Sequence, residues 1–472
     1  MNSAKTFAFL KSELTTDGIH SLDEFWDWYN ARLEEGSFEV TEIPFKTLGQ
    51  WEFKNPSLYL GHDSGKFFTI EGLEVETDFG EIRKWDQPII NQPEIGILGI
   101  LTKEINGVLH FLMQAKMEPG NINTLQISPT VQATKSNYTK VHKGRTPTYL
   151  EYFIDADQSE IMIDSLQSEQ GARFLAKRNR NILIKVEGDV AEHEDFFWLT
   201  LGQIKEILKF DNIINMDART VLSCIPYFTA EDIYSFNSLD NTIAANLEGY
   251  PKKLISSMST PSPLNDLDEI ISWITSLKSS IDFEVKRKPL DMLKQWSVGE
   301  EEIVHDQNRY FSVIAVDVKA GSREVVSWSQ PLLKHYGIGL CGFISQEIDG
   351  VLHFLTCARI EPGNRDILEI GPTVAKSGEA GRSNYPEVKF SKYFTGHARA
   401  KVIFDAVHSE EGGRFYHFQN RYVIVEVDST EKFNLPKNYK WMTLAQISEL
   451  IKFSQVNIEA RNLLACLNLS QE

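Results

Sequence analysis

The sequence predicts an α+β protein built by tandem duplication, and three observations carry that reading. Residues 347–373, EIDGVLHFLTCARIEPGNRDILEIGPT, match residues 104–130, EINGVLHFLMQAKMEPGNINTLQISPT, at 17 of 27 positions, which is a copied segment rather than two similar hairpins. Further pairs recur in the same order: Trp51 with Trp296, Trp85 with Trp328, SEQGARF (168–174) with SEEGGRF (409–415), and Trp198 with Trp441. Within each copy, strand-like alternation fills the middle and helical periodicity marks both ends, the pattern of an α+β domain. The repeat is far longer than the ~20–50 residues of solenoid units, so each copy is large enough to be a domain. The expected division is 1–230, a connecting segment and linker over 231–263 rich in Ser and Pro towards its end, and a second repeat over 264–472.

The first copy opens with Leu22, Phe25, Trp26 and Tyr29 on one helical face behind a capping box of Ser21 and Glu24. Its counterpart is Leu267, Ile270, Ile271 and Ile274. VLHFLMQAKM then reads as a strand. Alternation puts His110, Leu112, Gln114, Lys116 and Glu118 on one face and Leu109, Phe111, Met113, Ala115 and Met117 on the other. The second face is core; the first is mostly hydrogen-bonding groups. Pro119-Gly120-Asn121 reads as a turn in which Pro fixes φ and Gly takes φ > 0. Gln126, Ser128, Thr130 and Gln132 alternate again, before a polar loop with Ser136, Asn137, Tyr138 and His142. RNILIKVEG is a strand, and LTLGQIKEILKF (199–210) and LAQISELIKF (444–453) are the late helices.

Composition removes several function classes. With 48 basic against 66 acidic residues the net charge is −18, which argues against a nucleic-acid partner. Four cysteines without CxxC spacing suit a reducing cytoplasm and offer no zinc site. No apolar run approaches the ~18 residues of a membrane span, and the expectation is a cytoplasmic protein. Gly337-x-Gly339-x-x-Gly342 fits a dinucleotide fingerprint, but it runs into a hairpin pattern rather than a helix, so redox chemistry is not expected. Gly61–Lys66 has the wrong spacing for a phosphate loop.

The two copies differ where chemistry would reside. The second keeps His353, Glu361, Pro362, Gly363, Asn364, Thr373, Asn384 and Tyr385, with Arg359 for Lys116, and it loses Gln114 (Cys357), Ser128 (Gly371) and Gln132 (Ala375). The shared residues suit a ligand-binding frame in which the 116/359 cation meets a phosphate. The first-copy residues are then the ones specialised for reaction.

WDQPIINQPEIGILGIL (85–101), HFLMQAKMEPGN (110–121), LQISPTVQATKSNYTKVH (125–142), YLEYF (149–153), HDSGKFFTIEG (62–72) and RTVLSCIPY (219–227) together resemble the NDP-hexose 2,3-dehydratase family of deoxysugar biosynthesis. The resemblance implies a homodimer of subunits, each a tandem pair of Nudix-like domains, acting without cofactor or metal on a dTDP-linked 4-keto-6-deoxyhexose. It implies loss of water across C2 and C3 and onward reduction of the product by a partner 3-ketoreductase. The Nudix metal box is absent from both copies, which disfavours a pyrophosphatase; a non-catalytic nucleotide-sugar binding protein is the alternative. On this reading Glu118, Tyr138 and His142 are the proton-transfer candidates. Lys116, Gln114, Gln126, Ser128, Thr130, Gln132, Ser136, Asn137, Tyr152 and Arg173 bind substrate, with Trp51, Trp85 and Tyr152 as aromatic candidates for the base. Arg359, Glu361, Thr373, Asn384, Tyr385 and Arg414 form a second-half ligand site.

Overall fold

A computed structural model describes residues 3–134, 147–226, 247–260, 262–321, 326–378 and 388–470. Each half is centred on a long hairpin, Gly96–Ile105 with Val108–Met117 in the first and Ile338–Ile348 with Val351–Arg359 in the second. Arg178–Val186 runs parallel to the first hairpin's outer edge, and Gln419–Val427 does the same in the second. The result is two mixed seven-stranded sheets of matching topology, with helices packed against them. Gly342 of the rejected fingerprint lies inside a strand, where a Cβ would stand 2.4 Å from the Phe394 ring. It is a packing glycine.

The hairpins fork. Leu101 pairs with Leu112, but beyond them Gly96–Ile105 pairs with Val131–Ala133, and Val108–Met117 pairs with Leu125–Ser128. Thr130 sits in the crotch: its Oγ1 accepts from Leu101 N at 2.9 Å and donates to the Leu112 carbonyl. Thr373 makes the same clamp between Ile344 N and the Leu355 carbonyl. A hydroxyl at this position satisfies the two backbone groups that the diverging strands leave orphaned. The fork also holds the arms apart, with Gln114, Lys116 and Glu118 on one and Gln132 on the other.

The two halves are interwoven. Phe38–Ile43 of the first half pairs antiparallel with Phe311–Ala320 of the second, and Phe283–Lys288 of the second pairs with Thr69–Thr77 of the first. Each half therefore completes the other's smaller sheet and covers an edge that would otherwise invite aberrant pairing. One apolar core runs through both halves, from Phe9 and Phe111 to Phe354 and Leu463. The fully buried Arg219 and Arg461 cross the same boundary, Arg219 donating to the Ser409 carbonyl at 2.9 Å and Arg461 to Thr220 Oγ1 and the Ser168 carbonyl. Gly249–Ser259, expected within the connecting segment, is a helix that mirrors Ser3–Glu13. Ser257 Oγ caps Leu444 N at 2.9 Å as Ser12 Oγ caps Leu201 N at 2.9 Å. Its polar composition hid the match, because it is the buried Ser257 and Leu254 that do the packing.

The Glu-Pro-Gly-Asn turns dock across the boundary. Gly120 N donates to the Gly412 carbonyl and the Gly120 carbonyl accepts from His417 N, each at 2.8 Å. Gly363 makes the reciprocal pair with Gly171 and Ala176 at 2.7 Å. Neither glycine has positive φ, so the turn-conformation reading is corrected. A Cβ on Gly120 would lie 1.5 Å from the Phe415 carbonyl oxygen, and one on Gly363 would lie 1.7 Å from that of Phe174. Close backbone approach is what requires glycine.

Because the obstructing atoms are backbone on both sides, Gly120→Ala and Gly363→Ala should destabilise alike. Each is expected to cost roughly 1–3 kcal/mol or more, the range for overpacking a filled site. Urea unfolding midpoints of the full chain measure this; a neutral alanine at either position would contradict the docking.

Candidate active site

A cavity of about 1350 Å³ opens at the fork of the first hairpin. Gln114, Lys116 and Glu118 line one side and Gln132 the other, and Glu169, Lys177, Asn179 and Asp217 continue the wall. The second half closes it with Glu411, Gly413 and Arg414. Trp51, Phe67, Phe68 and Trp328 give a further part an aromatic surface. Local structure explains each position. Strand alternation aims 114, 116 and 118 at the opening, Asp217 sits in the first turn of helix Met216–Leu222 behind its Asn215 cap, and the Gly120 docking carries 411–414 in from the other half.

The polar groups form one cluster. Lys116 Nζ is 3.5 Å from Glu118 Oε1, which also accepts from Gln132 Nε2 at 3.0 Å. Glu118 Oε2 is buried and takes no hydrogen bond from any described residue. Glu169 Oε1 accepts from Asn179 Nδ2 at 2.6 Å, while its Oε2 is likewise unsatisfied. A Cβ placed on Gly413 would stand 2.9 Å from Glu411 Oε1 and 3.7 Å from Glu118 Oε1, so the two carboxyls flank one small space. Burial holds the Asp217 carboxyl well above its ordinary range, helped by Glu411, Glu169 and Glu118 and opposed by Lys116. Burial pushes Glu411 up to about 7, with Arg414 and Lys177 opposing and Glu169 and Glu118 assisting. Burial also lowers the Lys177 ammonium. Crowded carboxyls with separated proton affinities, beside cations, can both take and give protons near neutral pH.

The equivalent place in the second half is packed differently. Phe418 replaces Lys177 and His335 replaces Gln92, and the two rings stack at 3.5 Å with Arg173 Nε donating to His335 Nε2 at 2.8 Å. Gln170 stands for Glu411 and Ala172 for Gly413. Glu410, the counterpart of Glu169, accepts from Gln170, Asn420 and Tyr422 at 2.6–2.7 Å. Arg359 lies across Gly371, whose Cβ would meet Arg359 Cδ at 2.6 Å, and donates to the Ala375 carbonyl at 3.4 Å. Glu361 lies among Arg359 and Arg173, and burial raises its pKa.

Several expected residues stand elsewhere. Arg173 does not line the first cavity; it reaches into the second half, its guanidinium 4.4 Å from the centre of the Phe311 ring. Arg414, expected at the second-half site, lines the first cavity over Phe68, again at 4.4 Å. The docked turns cross these segments over, which a within-copy reading cannot foresee. Gln126 is fully buried and bonds Asn123 Oδ1 at 2.9 Å and Ser409 Oγ at 2.8 Å, making it a strut between halves. Ser128 Oγ bonds the Pro129 carbonyl at 3.1 Å, and the Thr130 and Thr373 hydroxyls are committed to the forks. Tyr152 packs against the apolar cluster of Tyr149 and Phe153, outside the cavity lining. Trp85 bonds Gln87 Oε1, whereas Trp51 and Trp328 line the cavity. His110 and His353 are structural, each accepting a backbone N–H at Nε2, from Ile19 at 3.2 Å and Leu264 at 3.0 Å. Ser136, Asn137, Tyr138, His142, Asn384 and Tyr385 lie outside the described residues.

Glu169, Lys177, Asp217 and Glu411 were missed. The signal was present: comparing SEQGARF with SEEGGRF isolates Glu411 against Gln170 and Gly413 against Ala172.

The sequence model of a family described as NDP-hexose 2,3-dehydratase matches residues 22–225 and 267–467. Similar proteins include dTDP-4-dehydro-6-deoxy-α-D-glucopyranose 2,3-dehydratases from Saccharopolyspora spinosa, 43% identical with 99% of this chain and 96% of the relative aligned, and Amycolatopsis orientalis, 43% identical over 97% and 92%. A third, from Streptomyces violaceoruber, is 41% identical over 96% and 97%.

A carboxyl whose pKa is raised on folding, as Glu411 is from 4.5 to about 7, favours the fold below its unfolded value. That contribution is lost as pH rises through the folded one. Glu411→Gln removes the dependence. Its urea midpoint should gain on the parent's as pH rises from about 5 to about 8. A difference that is constant across this window would show that the carboxyl is not perturbed.

Proposed function

The chain belongs to the NDP-hexose 2,3-dehydratase family, and from that premise we propose that it removes water across C2 and C3 of a dTDP-linked 4-keto-6-deoxyhexose in the first-half cavity. The product is a 3,4-diketo-2,6-dideoxy sugar. The observation that carries the assignment to this cavity is the gathering of Glu118, held through one oxygen by Lys116 and Gln132, with Glu411 and Lys177 in one lining, where the second-half place has Gln170 and Phe418 for the last two. The C4 ketone acidifies the C3 proton, and Glu118 Oε2 is the base that takes it. Lys116, with Gln114 and Gln132, stabilises the enolate oxygen as it forms. Arg414 and Lys177 supply positive charge for the diphosphate, and Trp51 or Trp328 a face for the thymine.

The repeated mixed sheets support a Nudix-like reading of each half, with the hydrolytic metal box absent from both copies. The set extends to a cytoplasmic homodimer whose reactive diketone passes to a 3-ketoreductase. Among the described residues no helix is long and apolar enough to cross a membrane.

The test is turnover of dTDP-4-keto-6-deoxyglucose coupled to a 3-ketoreductase and followed by mass spectrometry. Loss of one water followed by reduction is expected. Substrate that is bound but unchanged would leave a binding protein, and release of dTMP a pyrophosphatase. Glu118→Gln should lower turnover at least ~10²-fold, the lower end of general acid–base contributions; Glu361→Gln should leave it nearly intact. The reverse pattern would place the active half wrongly.

A further inference from the structure

Resting on the dehydratase reading, we propose that Glu411, carried by the second half, is the catalytic acid of the first-half cavity, and that Gly413 is kept small to let the sugar stand between Glu411 and Glu118. The evidence is geometric. Both carboxyls border the point a Gly413 methyl would occupy, at 2.9 Å from Glu411 Oε1 and 3.7 Å from Glu118 Oε1. The same loop of the other copy has Gln170 and Ala172 at these positions, and in the half that receives it His335 and Phe418 stack where the first has Gln92 and Lys177. The acid and the glycine beside it are thus replaced together.

The steps balance with two carboxyl groups. The Glu118 carboxylate takes the C3 proton, and that bonding pair becomes C3=C4 with the charge on the C4 oxygen. As the enolate collapses, C2=C3 forms, the C2–O bond breaks, and the oxygen leaves as water with the Glu411 proton. The resulting C3 enol returns its hydroxyl proton to Glu411 while C2 takes the proton held by Glu118. Both groups end as they began, and the substrate has lost one water.

The groups facing Glu411 are Glu118 and Lys116 from the hairpin arm, Glu169, Lys177, Asp217 and its own Arg414. Since Glu411 lies near 7 it is partly protonated at neutral pH, and turnover should fall on the alkaline side as its proton is lost.

The experiment uses the full chain with Glu411→Gln and Gly413→Ala, both of which install residues already carried at the equivalent positions of the other copy. Wild type and Glu118→Gln run in parallel on dTDP-4-keto-6-deoxyglucose, reading water loss by mass spectrometry and C3 proton exchange in D₂O by NMR. Glu411→Gln should lower elimination ~10²-fold or more, flatten the alkaline limb, and retain exchange, because the base is intact. Glu118→Gln should lose both. Gly413→Ala should lower kcat/KM at least ~10-fold by displacing the sugar. Glu411→Gln that eliminates water at close to the wild-type rate, or that loses exchange together with elimination, would overturn the proposal. A wild type that does neither would instead remove the dehydratase reading on which it rests.

Discussion

Two carbonyl oxygens, those of Phe415 and Phe174, stand where side chains would begin on Gly120 and Gly363. That contact sets the register between the halves. It fixes the Glu-Pro-Gly-Asn turn of each copy on the Gly-rich loop of the other, and the loops bring Glu411 and Arg414 to the first cavity and Arg173 to its counterpart. Separating the backbones by one methyl group would displace the cavity wall that carries Glu411 and Arg414, and a displacement of ~1 Å at reacting groups can cost ~10² in rate. The strand exchange, the shared core and the crossing arginines all support this one approach.

The interweaving makes the second half a structural part of the first. Without Phe283–Lys288 the first half's smaller sheet has an open edge, and without the loop at 409–415 its cavity has no wall on that side. In a duplicated chain of independent domains a superfluous copy can decay. Here the second half also supplies Glu411, Gly413 and Arg414 to the lining of the first cavity, so it is not superfluous.

Much of this was legible in the sequence. The duplication, the helical face behind the Ser21–Glu24 box, the central hairpin and the polar alternation of Gln114, Lys116 and Glu118 all follow from local periodicity, and local periodicity survives folding. Residues whose role depends on crossing from one copy to the other were not legible. Gly120 resembles any turn glycine until the facing carbonyl is known, and Gln126 resembles a ligand until Ser409 is seen against it. Arg173 and Arg414 are indistinguishable by spacing. Thr130 lines the cavity as alternation implied, but alternation does not show that two strands part beside it and claim its hydroxyl.

Electrostatics argues for the first cavity as the reactive one. Burying ionisable groups without full pairing costs several kcal/mol per ion, so a fold with no use for them tends to neutralise or satisfy them. The corresponding place of the second half does this, with Phe418 for the lysine, Gln170 reaching across in place of the glutamate, and three donors closed around Glu410. The first cavity keeps Lys177 and Glu411 and leaves an oxygen of both Glu118 and Glu169 unsatisfied. Orphaned oxygens also remain on Glu361 and Glu459 in the second half, so unsatisfied groups alone do not discriminate. What does is the company they keep: Glu118 shares the lining of the first cavity with Glu169, Lys177 and Glu411, whereas the corresponding positions of the second place carry Glu410 closed in by three donors, Phe418 and Gln170.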